Sequence, residues 1–258
     1  MVRPKKHLGQ HFLTDPSIAA RIVGALHTGP GDSVVEIGPG TGVLTGLLLD
    51  KDIRLLPVEI DGESVLHLKQ QWPPLTDLII EEDFLKMKLE EHLTGPFHLI
   101  GNFPYNISSQ IFFRVLQYRH QVSSVVCMIQ REVAGRIASP PGSREYGILS
   151  VLLQAYFNID YLFTVKPGSF FPPPRVHSGV IKLVRNQVHT LPCNEKLFFE
   201  VVKATFNQRR KMIRNSIKSI LLNLEGDFEL LSKRPEQLGV SEFIKLTNWV
   251  ESQQKAEL

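Results

Sequence analysis

At 258 residues the chain is long enough for one large domain, or for a medium domain with a small appendage, and either would bury a sizeable core. Hydrophobic residues make up 43% of it and charged residues 21%, which excludes disordered and collagen-like classes, while a formal charge of +3 is a mild hint of an anionic partner. The only cysteines, Cys127 and Cys193, have no metal-like or paired spacing, no apolar run reaches the length of a membrane span, and the basic start MVRPKKHLGQHFL has no apolar segment behind it, so a cytoplasmic protein without membrane insertion is expected.

Asp15-Pro16 followed by Ile18, Ile22 and Leu26 predicts a capped helix with one apolar stripe. SVVEI (33–37) reads as a strand, GPGTG as a tight turn, VLTGLLL as a helix and IRLLPVEI (53–60) as a second strand. The alternation continues with a helix over 62–71 and strands at DLIIEED (77–83) and FHLIGN (97–102), then a helix from about Ser108 and a strand at VSSVVCMI (122–129). Such alternation implies a parallel, doubly wound α/β sheet of the Rossmann-like kind. YGILSVLLQAYF then predicts a helix, and YLFTV (161–165) and HSGVIKLV (177–184) predict a late, hairpin-like pair of strands joined through KPGSFFPPPR. Beyond residue 190 no strand-like run occurs, and Ile213, Ile217, Ile220, Leu221 and Leu224 recur at helical spacing. The boundary falls at Asn186–Pro192, dividing the chain into an α/β domain (1–188) and a small all-helical C-terminal domain (189–258).

Gly38, Gly40 and Gly42 follow the first strand and permit a tight turn that brings the backbone close to a ligand. Their spacing is G-x-G-x-G, with Val43 where a dinucleotide site has its third glycine, so another nucleoside ligand is favoured over a nicotinamide or flavin dinucleotide; a purely structural turn is the other reading. Glu59, about 20 residues further on, ends the second strand where a carboxylate can accept both hydroxyls of an adenosine ribose. Asp83, beside Phe84, offers an acceptor for an adenine amino group next to an aromatic wall, and Glu36 could orient the glycine loop. Taken singly each acid is a solvated strand end; together they outline an adenosine site.

NFPY (102–105) lies at another strand's carboxyl end, where α/β sheets gather ligands. If the adenosine is that of S-adenosylmethionine, the methyl group needs a nucleophile, and an exocyclic adenine amine must first have its lone pair localised. Asn102 can accept one N–H through its side-chain oxygen and the carbonyl before Pro104 the other, while Pro104 stiffens the turn and Tyr105 offers a stacking face to a flipped base. Taken alone, the tetrapeptide could equally be a structural turn.

HLGQHFL (7–13), VVEIGPGTGVLT (34–45), VEID (58–61), EDF (82–84), NFPYNISSQIFF (102–113), EYGILSVLLQAYF (145–157) and FFPPPRVHS (170–178) together closely resemble the KsgA ribosomal RNA adenine dimethyltransferases over nearly the whole chain. The resemblance implies a class I methyltransferase fold using S-adenosylmethionine to dimethylate the N6 atoms of two adjacent adenines near the 3′ end of small-subunit RNA during ribosome assembly. It further implies that His11 and Leu13 contact the methionine end of the cofactor, that Gly38 lies beneath it, that Glu59 takes the ribose and Asp83 the adenine, and that Asn102 serves cofactor and target amine alike. Phe170 is implied as the aromatic face opposite Tyr105. Position 11 is His where relatives often have Asn.

In the C-terminal part Arg209, Arg210, Lys211, Arg214 and Lys218 make a local basic surface that could track RNA phosphates; a merely solvated basic face is the alternative. A metal is not expected, because His7 and His11 have no third ligand near them in sequence. A monomer that binds the assembling small subunit is expected. The rivals are an Erm-type methyltransferase of large-subunit RNA, a non-catalytic RNA-binding assembly factor and a nicotinamide-dependent dehydrogenase.

Overall fold

The computed structural model describes residues 2–221 and 226–256. The chain divides into two compact units, Met1–Gly135 with Asn158–Arg185, and Arg136–Phe157 with Asn186–Leu258. The division is discontinuous, because the segment 136–157 groups with the C-terminal residues although it precedes the last strands of the sheet.

The first unit is built on a six-stranded sheet in the order β3-β2-β4-β5-β8-β6, from β2 (Asp32–Ile37), β3 (Ile53–Val58), β4 (Phe97–Asn102), β5 (Val122–Gln130), β6 (Phe157–Val165) and β8 (Ser178–Arg185). β3, β2, β4 and β5 run parallel, and β8 pairs antiparallel with β5. Two short strands, β1 (Phe12–Leu13) and β7 (Phe170–Phe171), form a separate antiparallel pair. Parallel strands have both faces covered, and the side chains show it. Val34, Leu55, Ile100, Val126 and Val180 join a core with α1 (Pro16–Ala25) and α2 (Thr45–Leu49), while the alternate residues Val35, Leu99, Val125, Cys127 and Ile181 are equally buried. The α1 helix begins where its sequence dictates, with Asp15 accepting from the Ser17 and Ile18 amides.

Three expectations need correction. The segment 77–83 forms no strand; it touches the sheet by one bridge, Ile80 to Val58, because the 3-10 turn Pro73–Leu75 and the turn after it consume the residues that would have run along β3. A helix not foreseen, α5 (Arg131–Ala138), follows β5 directly. The helix expected over 146–157 is shorter, α6 (Ile148–Gln154), since β6 begins at Phe157. In addition, α3 spans Gly62–Gln71 and α4 spans Ser108–Gln117, where sequence periodicity put them.

The second unit packs α6 with α7 (Glu195–Asn207) and α9 (Val240–Ala256), with the short α8 (Ile213–Ser216) against α7. An aromatic row of Tyr146, Phe206 and Phe243, with centroids 6.2 and 5.9 Å apart, fills its centre. Leu224 of the expected apolar stripe lies outside the described residues. No helix among the described residues is long and apolar enough to cross a membrane.

The chain order reverses direction between β2 and β4, so a crevice opens outside their carboxyl ends. Gly101 makes that juncture possible: a Cβ there would lie 2.5 Å from the Ile37 carbonyl oxygen. Gly101→Ala should therefore lower stability by about 1–3 kcal/mol, read as the urea unfolding midpoint.

Candidate active site

A cavity of about 270 Å³ opens at these strand ends. Its wall comes from five segments: residues 7–12, the glycine turn after β2, the end of β3, residues 82–85 and residues 102–107 after β4. Five segments far apart in sequence thus meet where the topology predicts a ligand.

The glycine turn is held by a buried acid. Glu59 Oε2 accepts the Gly40 N–H at 3.0 Å and Oε1 accepts the Asp61 N–H at 2.9 Å, so both oxygens are anchored and each keeps a lone pair for a hydroxyl donor. Gly40 has φ +59°, and a Cβ on it would meet the Phe12 ring at 2.9 Å. The missing side chain lets Phe12 close over the turn. Gly38 also borders the cavity. Asp83 lies at its rim, where Oδ1 accepts the Leu85 N–H at 2.9 Å, and Phe84 beside it is a buried part of the wall.

Across the cavity, Asn102 ends β4 with its Nδ2 donating to the His11 carbonyl at 2.7 Å. That bond fixes the amide so that its oxygen is the free acceptor. The His11 ring stacks on Tyr105, with centroids 5.5 Å apart and planes at 29°, and its Nδ1 lies 2.7 Å from the Pro172 carbonyl oxygen, so Nδ1 carries the hydrogen there. The Tyr105 hydroxyl is 2.6 Å from Ser178 Oγ. His11 therefore joins Asn102, Tyr105 and the proline segment, a role that its sequence position did not reveal.

His11, Gly38, Gly40, Glu59, Asp83, Phe84, Asn102, Pro104 and Tyr105 all border this cavity. Leu13 and Phe170 do not: both are buried in the core beneath α1. The register explains this, since Leu13 opposes Phe170 and Phe12 opposes Phe171, and opposed residues share a face. Phe12 borders the cavity, while neither Phe171, 56% exposed, nor Phe170, 4% exposed, lines it. Asp61, Gln10 and Phe12 were missed by sequence reasoning; for Asp61 the local signal was its place one residue before a helix start.

In the second unit Arg209 and Arg210 lie in the turn after α7, Lys211 in the bend that follows, Arg214 in α8 and Lys218 in a 3-10 turn. The chain leaves the helix at Gln208, so Arg210, Arg214 and Lys218 do not share one helical face although their four-residue spacing would allow it. Arg209 Nη2 donates to the Ser143 carbonyl at 3.2 Å, while Arg210, Lys211, Arg214 and Lys218 are exposed. Among the described residues no cluster of three or more His, Cys, Asp or Glu could hold a metal ion.

Residues 1–242 match the family described as Ribosomal RNA adenine dimethylase. A protein of Phocaeicola vulgatus named Ribosomal RNA small subunit methyltransferase A is 54% identical over 256 residues, covering 98% of this chain and 91% of that protein. Its namesake in Bacteroides thetaiotaomicron is 55% identical over 255 residues, covering 97% and 95%. Among solved structures, a dimethyladenosine transferase from Plasmodium falciparum has a TM-score of 0.80 at 24% identity, covering 95% of this chain and 98% of that one. The 23S rRNA methyltransferase ErmE has a TM-score of 0.66 at 24% identity, covering 93% and 99%. At that identity the two structures speak for the fold, a class I methyltransferase fold.

Beneath the glycine turn lies a second buried acid. Burial pushes Glu36 up to about 8, with the Glu59 charge adding to it and the Thr45 hydroxyl, 2.8 Å from Oε2, opposing it. Glu59 is also raised by burial, against the amides of Asp61 and Gly40. Between the unfolded value and about 8, folded Glu36 holds a proton that the unfolded chain has lost, so stability falls as pH rises through that window. Glu36→Gln should flatten the fall in unfolding free energy between pH 5 and 8, about the interval bounded by the unfolded and folded values; an unchanged slope in urea titrations would contradict a neutral Glu36.

Proposed function

The chain belongs to the ribosomal RNA adenine dimethylase family, and we propose that in the cytoplasm it transfers methyl groups from S-adenosylmethionine to the N6 atoms of two adjacent adenines near the 3′ end of small-subunit RNA as the ribosome assembles. It is an enzyme, an rRNA adenine dimethyltransferase of the small subunit. An Erm-type activity is not favoured, because the relatives at 52–55% identity bear the small-subunit name.

The observation that carries the reading is the fixed amide of Asn102. With Nδ2 committed to the His11 carbonyl, its oxygen can accept one amine hydrogen, and the Phe103 carbonyl, stiffened by Pro104, can accept the other. An amine so held aims its lone pair instead of spreading it into the ring. Tyr105 supplies a stacking face, and its phenol is kept protonated by burial, the Ser178 hydroxyl opposing.

The donor set fits the cofactor. Glu59 has two oxygens with spare lone pairs for vicinal hydroxyls, the Gly40 turn admits close backbone approach, and Asp83 with Phe84 makes a polar and aromatic corner. When bound, S-adenosylmethionine supplies an electrophilic sulfonium methyl group. The chain's part is orientation, since the amine proton becomes acidic only as the methyl transfers and no strong base is needed. In the helical unit Arg209, Arg210, Lys211, Arg214 and Lys218 are read as phosphate contacts that hold the RNA irrespective of sequence.

Labelled methyl transfer to undermethylated small and large subunits, with nucleoside analysis of the RNA, tests the reading. Dimethyladenosine in the small subunit is expected, and label confined to the large subunit would overturn it. Asn102→Ala should reduce transfer by 10²-fold or more, about the loss of a positioned polar group, while RNA binding is kept; normal turnover would refute lone-pair positioning, and a non-catalytic assembly factor would transfer no methyl in either form. Neutralising Arg210 and Arg214 together should weaken RNA binding and reduce its log–log salt slope by about 1–2.

A further inference from the structure

Asp61 follows β3, two residues past Glu59, and its side chain has no exposed surface. Its carboxylate receives four donors. Two are local and start α3: the Glu63 N–H at 3.2 Å and the Ser64 hydroxyl at 3.0 Å. The other two come from the N-terminal segment, Gln10 Nε2 at 3.1 Å and the Lys5 ammonium. Gln10 Oε1 in turn accepts the Lys5 N–H at 2.8 Å, and the Arg3 N–H donates to Glu63 Oε1 at 3.0 Å. The segment so fastened leads straight into residues 7–12, which form one wall of the cavity.

We propose that Asp61 is a positioning residue that clasps residues 3–10 onto the body of the fold, so that the cofactor meets a wall already ordered. The proposal rests on reading the cavity as the S-adenosylmethionine site. Between its fastenings the wall turns sharply at Gly9, at φ +66°, where a Cβ would meet Asn106 Oδ1 at 2.5 Å. Such a segment has few apolar anchors of its own: Lys6 and His7 are exposed, and Leu8, Gly9 and Gln10 are only partly covered. Without the clasp its ordering entropy would be charged to cofactor binding. A buried carboxylate paired with an ammonium and an amide is a strong and directional fastening.

Asp61→Asn keeps the size of the side chain and the ability to cap α3 but loses the charge that holds Lys5, and Lys5→Met cuts one fastening while leaving the cap untouched. Both variants should bind S-adenosylmethionine about tenfold more weakly, with KM for the cofactor raised and kcat at saturating cofactor little changed. Both should keep the wild-type melting temperature within a few degrees, and trypsin should cut after Lys6, the site common to both variants and the wild type, faster in the variants, with the cofactor slowing the cut. Unchanged affinity in both variants overturns the clasp, as does a loss in Asp61→Asn alone, which would show that the Lys5 fastening does not order the wall. If the wild type itself fails to bind the cofactor, the reading of the cavity falls, and the trypsin rates still decide: equal rates overturn the clasp and faster rates support it.

Discussion

The structure turns on one buried carboxylate. Glu59 could not be sheltered from water without donors, and both of its oxygens take backbone N–H groups, from Gly40 on one side and from Asp61 on the other. These groups belong to turns that leave adjacent parallel strands, with Ile37 opposite Val58 in register. A single side chain therefore fixes the separation of the glycine turn and the start of α3. The cavity lies over that separation, so a ligand acceptor and a structural tie are the same group.

A second constraint comes from the other flank of β2. Because Gly101 lets the ends of β2 and β4 approach closely, Asn102 emerges beside the glycine turn rather than a side chain's width away. The N-terminal segment then bridges the two flanks. Gln10 and Lys5 reach Asp61 on the β3 side, and the His11 carbonyl takes the Asn102 amide on the β4 side. One strap thus touches both flanks of the cavity, which gives a physical route by which order on one flank reaches the other.

Much of this was legible in the sequence because parallel strands, buried on both faces, read as continuous apolar runs; those at 33–37, 53–60, 97–102 and 122–129 were found for that reason. Glu59 was legible from its distance to the glycines, a spacing that reflects the length of one strand–helix–strand unit. What failed did so where pairing partners lie far away in sequence. LII at 78–80 has strand chemistry, yet the turn before it leaves a single bridge to β3. The cations at 209–218 kept a helical period across the break after Gln208, because charge spacing says nothing about whether the backbone continues.

The electrostatics of the site agree with a reaction that depends on orientation. Burial is the main reason Glu36 keeps its proton up to about 8, with the nearby Glu59 charge adding to it. Glu59, the acid whose lone pairs reach the cavity, is held by two backbone N–H groups. On the opposite wall the groups around the target slot are an amide, a carbonyl before a proline and a phenol held protonated by burial, none of which acts as a strong base near neutral pH. Under the proposed function, a nucleophile in this slot would gain reactivity from where its hydrogens are held, and the rigidity of Asn102, tied to the backbone of His11, would be the quantity on which the rate depends.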